Sequence, residues 1–257
     1  MRNGNDSGAT SARPIATTFQ IVEAYKTVRT NLLFALAPHK RKIVLFSSAE
    51  PNAGKTTASS NLAITMAQTD ARVLLIDADL RKPSQHKTFR VKKHNGLSRI
   101  LSGELKFNEC VCREVAHGMD LLPSGSLPPN PSELLSSENM DKLLDEVSAQ
   151  YDYVFIDTPP LCVVSDSLVL SEKAAGTVLI TRQGQTTYEE LRRAIENIQD
   201  VQGNLLGVVI SDMKEAARPY SRYDRYKYYK AHDYSYTQAP EVNFCGPIFS
   251  PPMGDLR

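Results

Sequence analysis

The stretch IVLFSSAEPNAGKT, Ile43 to Thr56, decides the fold. Its first four residues, Ile43 to Phe46, are a short, fully apolar run closed by small polar residues, the pattern of a strand buried on both faces. The next eight, Ala49 to Thr56, match the relaxed phosphate-loop pattern, with Ala49 where the first glycine usually stands. A helix-patterned stretch then runs from Lys55 to Gln68. A strand, a tight loop and a helix N-terminus in that order aim backbone N–H groups and the positive end of a helix dipole at one point, where a polyphosphate fits. The expected ligands are ATP and Mg²⁺, with Pro51, Asn52, Ala53, Gly54, Lys55, Thr56 and Thr57 around the nucleotide. Lys55 is expected to reach the β- and γ-phosphates and Thr56 to ligate the metal.

Outward from this loop, further short apolar runs read as strands: Val73 to Ile76, Tyr153 to Ile156, Thr177 to Ile180 and Leu205 to Ile210, with Met119 to Leu122 as another candidate. Helix-patterned segments alternate with them at Ser137 to Gln150, Ser165 to Ala174 and Thr187 to Val201. An amphipathic helix is predicted from Ile21 to Leu36, ending before Pro38. The alternation predicts an α/β fold of the P-loop NTPase type, a mainly parallel sheet flanked by helices, with flexible N- and C-terminal tails. In such a sheet the carboxyl ends of the strands line the ligand crevice. VLLIDAD places Asp77 and Asp79 at one such end, and YVFIDTPP places Asp157 at another. Asp77 and Asp157 are the expected metal carboxylates. Lys55, Asp77 and Asp79 are the expected catalytic set, because one carboxylate can serve the metal while its neighbour faces an acceptor hydroxyl.

Composition narrows the class. The 257 residues carry 41% apolar and 23% charged side chains, and 30 basic against 29 acidic residues give a net charge of +1. That is ordinary globular usage, with no global field for nucleic acid or an acidic membrane. The four cysteines, Cys110, Cys112, Cys162 and Cys245, form neither a CxxC pair nor a regular disulfide spacing, which points to a reducing, cytoplasmic compartment and to thiols without a metal role. No run reaches the roughly 18 apolar residues of a membrane span, so any work at a membrane requires recruitment by a partner.

Residues 1–17 are rich in Ser, Asn, Gly, Thr and Ala and read as a flexible arm; 18–214 form the domain; and 215–257 read as a disordered tail. Between Tyr220 and Tyr236 that tail holds seven of the chain's eleven tyrosines, Tyr220, Tyr223, Tyr226, Tyr228, Tyr229, Tyr234 and Tyr236, interleaved with four basic residues.

SSAEPNAGKT, VLLIDADLRKP and YDYVFIDTPP, in this order and followed by a tyrosine cluster, resemble the bacterial tyrosine kinases of capsule and exopolysaccharide synthesis. LPPNPSELL, Leu127 to Leu135, is also similar to that family, and the resemblance spans about residues 18–236. It implies ATP-dependent autophosphorylation of the seven tail tyrosines, in trans between neighbours of a homo-oligomeric ring. It further implies recruitment to the inner face of the membrane by a separate adaptor of the polysaccharide co-polymerase type, and a cognate tyrosine phosphatase. The family's ExxRxxR oligomerisation motif maps to Glu23, Lys26 and Arg29, with lysine in place of the first arginine. Asn52 replaces a frequent loop glycine, and Ser211 stands where related ATPases place an adenine-contacting asparagine, so no adenine contact is assigned.

Two other classes compete. A partitioning-type ATPase switch shares the loop but carries an extra lysine five residues before the phosphate-binding one, a position held here by Glu50. A non-catalytic, nucleotide-gated scaffold would not need Lys55, Thr56, Asp77, Asp79 and Asp157 together. The Tyr- and Arg-rich tail alone would also suit RNA, a reading the ATP site displaces. Arg81, Lys82, Lys87, Arg90, Lys92 and Lys93 form a basic run expected to be a solvated surface, with contact to phosphate, a phosphorylated tail or an adaptor as the alternative.

Overall fold

A computed structural model describes residues 18–213. In chain order these form α1 (Thr18–Leu36), β1 (Ile43–Ser48), α2 (Lys55–Ala67), β2 (Val73–Asp77), α3 (Gln85–Thr88), α4 (Leu97–Leu101), α5 (Phe107–Cys110), β3 (Cys112–Ala116), β4 (Met119–Leu122), α6 (Pro131–Ser136), α7 (Glu138–Gln150), β5 (Tyr153–Asp157), α8 (Asp166–Ser171), β6 (Gly176–Arg182), α9 (Tyr188–Asp200) and β7 (Leu205–Ser211). The strands make one seven-stranded sheet in the order β3-β4-β2-β5-β1-β6-β7. Only β3 runs antiparallel to its neighbour.

The central strands are buried on both faces, and their residues divide between two cores with period two. Ile43, Leu45, Leu74, Ile76, Val154 and Ile156 meet α7 through Leu143, Leu144 and Val147. Val44, Phe46, Val73, Leu75 and Phe155 meet α1 and α2 through Leu32, Leu36, Leu62 and Met66 on the other face. The helix α2 lies between the sheet and α1, so it is buried around most of its circumference, which small residues such as Ala58, Ser59, Ser60 and Ala63 permit.

The predicted strands and long helices are present, with altered ends. β1 continues to Ser48, which carries the chain straight into the loop, and α8 stops at Ser171 rather than Ala174. The unanticipated strand is β3. Its sequence, CREVA, is half exposed and carries a bulge with Glu114 at φ 52°, so it lacks the apolar run that marked the others.

Candidate active site: a carboxylate-lined phosphate loop

The end of β1 delivers the chain into a loop that turns twice through left-handed backbone, at Asn52 (φ 63°) and Gly54 (φ 93°). Asparagine is among the few side chains that tolerate this region, so Asn52 keeps a turn that glycine would otherwise supply. At Gly54 a Cβ would also lie 3.4 Å from the Ser211 hydroxyl. Three consecutive loop carbonyls are engaged from the β6–β7 side. The Ser211 hydroxyl donates to Ala53 O at 2.8 Å, Arg182 Nη1 to Asn52 O at 3.4 Å and Gln185 Nε2 to Pro51 O at 3.4 Å. Ser211 thus works as a brace on the loop. Arg182 is held in turn by Asp212 at 3.1 Å.

The first residues of α2 enter the crevice. Thr56 Oγ1 lies 3.0 Å from Ser84 Oγ, and Lys55 Nζ lies 3.2 Å from Asp79 Oδ2. Burial works against the lysine's charge, but Asp157, Asp79 and Asp77 outweigh it and hold the ammonium above its ordinary range. Asp79 also accepts the Lys82 N–H at 2.9 Å, which fixes the start of the following loop.

Asp77 and Asp157 close β2 and β5 as direct partners in the parallel register, and both are fully buried. Asp77 Oδ2 accepts the N–H groups of Ser84 (3.1 Å) and Gln85 (3.0 Å), and Asp157 Oδ2 accepts Gln85 Nε2 (2.8 Å). The other oxygen of each, Oδ1, has no partner among the described residues. Burial, and then the neighbouring Asp157, push Asp77 up to about 8; burial also raises Asp157 against the pull of Lys55. Two buried carboxylates facing each other with bare oxygens are costly unless something positive completes them. Together with the Thr56 hydroxyl they form an all-oxygen donor set of the kind a hard divalent cation takes, so these residues fit Mg²⁺.

Gln85 was not anticipated. Fully buried, it accepts from Ser60 Oγ at 2.7 Å and donates to Ser59 Oγ at 3.0 Å as well as to Asp157, tying α2 to the end of β5. An ionised carboxylate only accepts, which fixes the amide with its nitrogen toward Asp157. A glutamine opening the four-residue α3 gives no signal in sequence, since its side-chain partners lie 25 to 72 positions away.

Other anticipated residues divide. Arg81 leaves the basic run, because its guanidinium pairs with the fully buried Asp166 at 2.8 and 3.0 Å, and Ser132 joins the same carboxylate. That contact ties the loop after β2 to the starts of α6 and α8, a bidentate use for which the planar fork is suited. On α1, Lys26 pairs with Glu23 at 2.8 Å, and Arg29 Nη1 donates to Thr65 O of α2 at 2.8 Å. Thr57 is half buried at the start of α2. Cys110, Cys112 and Cys162 are free thiols, and no cluster of metal-ligating residues involves them among the described residues. The seven tail tyrosines, Cys245 and the 1–17 arm lie outside the described residues.

The family profile described as AAA domain matches residues 41–208. The chain is 39% identical over 211 residues to the tyrosine-protein kinase YwqD of Bacillus subtilis, an alignment that covers 82% of this chain and 87% of that one. The chain belongs to the bacterial tyrosine kinases. Nucleotide binding comes with that family and its phosphate loop. The chain is also 37% identical over 201 residues to the tyrosine-protein kinase Etk of Escherichia coli, but it spans only 28% of that protein's length. The solved kinase domain of Etk superposes with a TM-score of 0.71 at 36% identity, covering 77% of this chain and 79% of that one. A plasmid partition protein from Borrelia burgdorferi reaches a TM-score of 0.54 at 20% identity over 73% of this chain and 86% of its own; that likeness is one of fold alone. The partition-type switch thus shares the fold of this bacterial tyrosine kinase, and the sequence identity lies with the kinases. No helix among the described residues is long and apolar enough to cross a membrane.

Proposed function

We propose that this chain transfers the γ-phosphoryl group of ATP to tyrosines between Tyr220 and Tyr236 of a neighbouring copy, and that this reaction regulates capsule or exopolysaccharide synthesis and export. The observation that carries the reading is the pairing of Asp77 and Asp157, fully buried, in register and each with one bare oxygen, beside Lys55. In this reading residues 18–214 are the kinase domain and 215–257 the acceptor tail.

The loop N–H groups from Pro51's successor to Thr57 cradle the phosphates, and Lys55 leaves Asp79 to follow the β- and γ-oxygens as they gain charge. Mg²⁺, held by Thr56, Asp77 and Asp157, would supply charge neutralisation at the β- and γ-phosphates. With Lys55 drawn away, Asp79 Oδ2 is free to accept the hydroxyl proton of the incoming tyrosine. The tyrosine oxygen then bonds to the γ-phosphorus, the bond from that phosphorus to the β-bridging oxygen breaks, and ADP leaves. A tyrosine hydroxyl has an ordinary pKa near 10, so an acceptor for its proton matters at neutral pH. Around this chemistry we place a homo-oligomeric ring using Glu23, Lys26 and Arg29, a separate membrane adaptor of the co-polymerase type that recruits the cytoplasmic chain to the membrane's inner face, and a cognate tyrosine phosphatase.

The test is incubation of the purified chain with Mg-ATP, alone and with the cytoplasmic segment of a candidate adaptor, followed by mass spectrometry beside a Lys55→Met variant. Phosphotyrosine at 220–236 that vanishes in the variant supports the kinase. ATP hydrolysis without phosphotyrosine in either condition would support a switch ATPase instead.

A further inference from the structure

The loop that leaves the crevice after Asp79 has a surface the reaction does not use. Lys82, Lys87, Arg90, Lys92 and Lys93 are all exposed, and among the described residues no carboxylate pairs with any of their side chains. No acidic residue occurs from Leu80 to Gly103. Solvated surfaces ordinarily mix both signs, and five bare cations within twelve positions raise a local positive field. The field acts on a neighbour: His86 is held below its ordinary range by burial and then by Lys93 and Lys87. The surface begins at the crevice itself, where Asp79 holds the Lys82 N–H and Ser84 touches Thr56.

We propose that this basic loop is the docking surface for the phosphorylated form of the chain's own segment 220–236. The inference rests on the kinase reading for the source of the phosphates. Before reaction the segment carries four basic and two acidic residues, so it suits the carboxylates of the crevice rather than a cluster of lysines. Each phosphate then adds roughly −1.5 to −2. A few are enough to reverse the sign, after which Asp77, Asp79 and Asp157 repel the segment and the loop attracts it. The geometry allows the move. β2 and β7 run parallel through β5, β1 and β6, so their carboxyl ends share one edge of the sheet, four strand spacings or about 19 Å apart. The seven residue-to-residue steps from Met213 to Tyr220 can span up to about 24 Å when extended, and the later tyrosines have more chain. A tethered segment also faces the loop at a high effective concentration.

The test uses the full-length Lys55→Met chain, which holds its tail unphosphorylated, and a labelled synthetic peptide of residues 220–236, either unmodified or phosphorylated at Tyr226, Tyr228 and Tyr229. At physiological salt the phosphopeptide is expected to bind at least about tenfold more tightly than the unmodified one, and more weakly as salt rises. Adding Lys87→Ser, Lys92→Ser and Lys93→Ser together should remove that advantage, with ADP affinity and melting temperature unchanged; Lys142→Ser on α7 should leave it intact. Equal binding of the two peptides, or a phosphopeptide advantage that survives the triple substitution, would overturn the proposal. So would phosphopeptide indifference combined with triple-sensitive binding to vesicles containing 30 mol% anionic phospholipid, which would make the loop a membrane surface. The peptide arrives already phosphorylated, so this result is independent of whether the chain makes phosphotyrosine, and either idea can fail alone.

Discussion

Two polar clusters in this domain are built from the same kinds of residue and end in opposite states. At the outer edge, Asp120 of β4 accepts from Glu114 N at 2.7 Å, from Arg113 Nη1 at 2.8 Å and from the Tyr151 hydroxyl at 2.5 Å, so both of its oxygens are used. Burial would raise its pKa, yet the Tyr151, Glu114 and Arg113 contacts outweigh burial and hold the carboxylate below its usual range. In the crevice, Asp77 and Asp157 are more deeply buried, have fewer donors and stay above that range. A cluster that satisfies itself holds structure, whereas one that leaves buried oxygens bare resists ionisation until a positive ligand completes it. The domain keeps the second kind at the carboxyl ends of its central strands, where a nucleotide would lie.

Substitutions should separate the two clusters. The largest effect is expected at Lys55. Lys55→Met removes a side chain placed to follow charge onto the transferred phosphoryl group, and tail phosphorylation measured by mass spectrometry should fall by about 10³-fold, as for loss of a strong transition-state contact. Next comes Gln85→Met, which keeps volume but frees Asp157 Oδ2. We expect the Mg²⁺ concentration for half-maximal phosphorylation to rise about tenfold, while ADP binding measured in EDTA stays the same. An unchanged Mg²⁺ requirement would reduce Gln85 to a packing residue.

Stability should respond with opposite signs. Asp77 has a folded pKa of about 8, above its unfolded value, so its contribution is fully present in acid and is lost as pH rises from about 4 toward 8. Asp77→Asn should therefore raise the melting temperature of the ligand-free protein at pH 8 by about 2–4 °C for each kcal/mol relieved, and flatten its pH dependence, while abolishing phosphorylation. Asp120 is the reverse case: its folded pKa is depressed, so its contribution is present above about pH 4 and is lost as pH falls through the folded value. The smallest effect is expected from Tyr151→Phe, which removes the hydroxyl that donates to Asp120 and accepts from Arg113 Nη1, while Arg113 keeps its contact with Asp120. It should cost about 1 kcal/mol, seen as a melting temperature lower by a few degrees, with phosphorylation unchanged.

The same contrast explains what was legible in the sequence. The central strands announced themselves because burial on both faces demands unbroken apolar runs, and Asp77 and Asp157 stood out as charges placed where such runs stop. The phosphate loop was readable because backbone geometry restricts the residues at Asn52 and Gly54. β3 was hidden, since an exposed, bulged edge strand needs no apolar pattern. Gln85 and the removal of Arg81 from the basic run were hidden for another reason: each depends on a partner far along the chain, Asp157 and Asp166, that only the folded sheet brings near. Ser211 looked like a departure from an adenine contact, and its bond to Ala53 O is a tertiary contact that no local spacing reveals.

The central claim, that this crevice phosphorylates the tail of a neighbouring copy, is tested most directly by complementation between two full-length variants. One has all seven tyrosines from Tyr220 to Tyr236 changed to phenylalanine and can only donate; the other carries Lys55→Met and can only accept. Each is incubated with Mg-ATP and the candidate adaptor segment, alone and then mixed. The account predicts phosphotyrosine on the Lys55→Met chain in the mixture and on neither chain alone. ATP turnover in the mixture with no phosphotyrosine on the acceptor would contradict it.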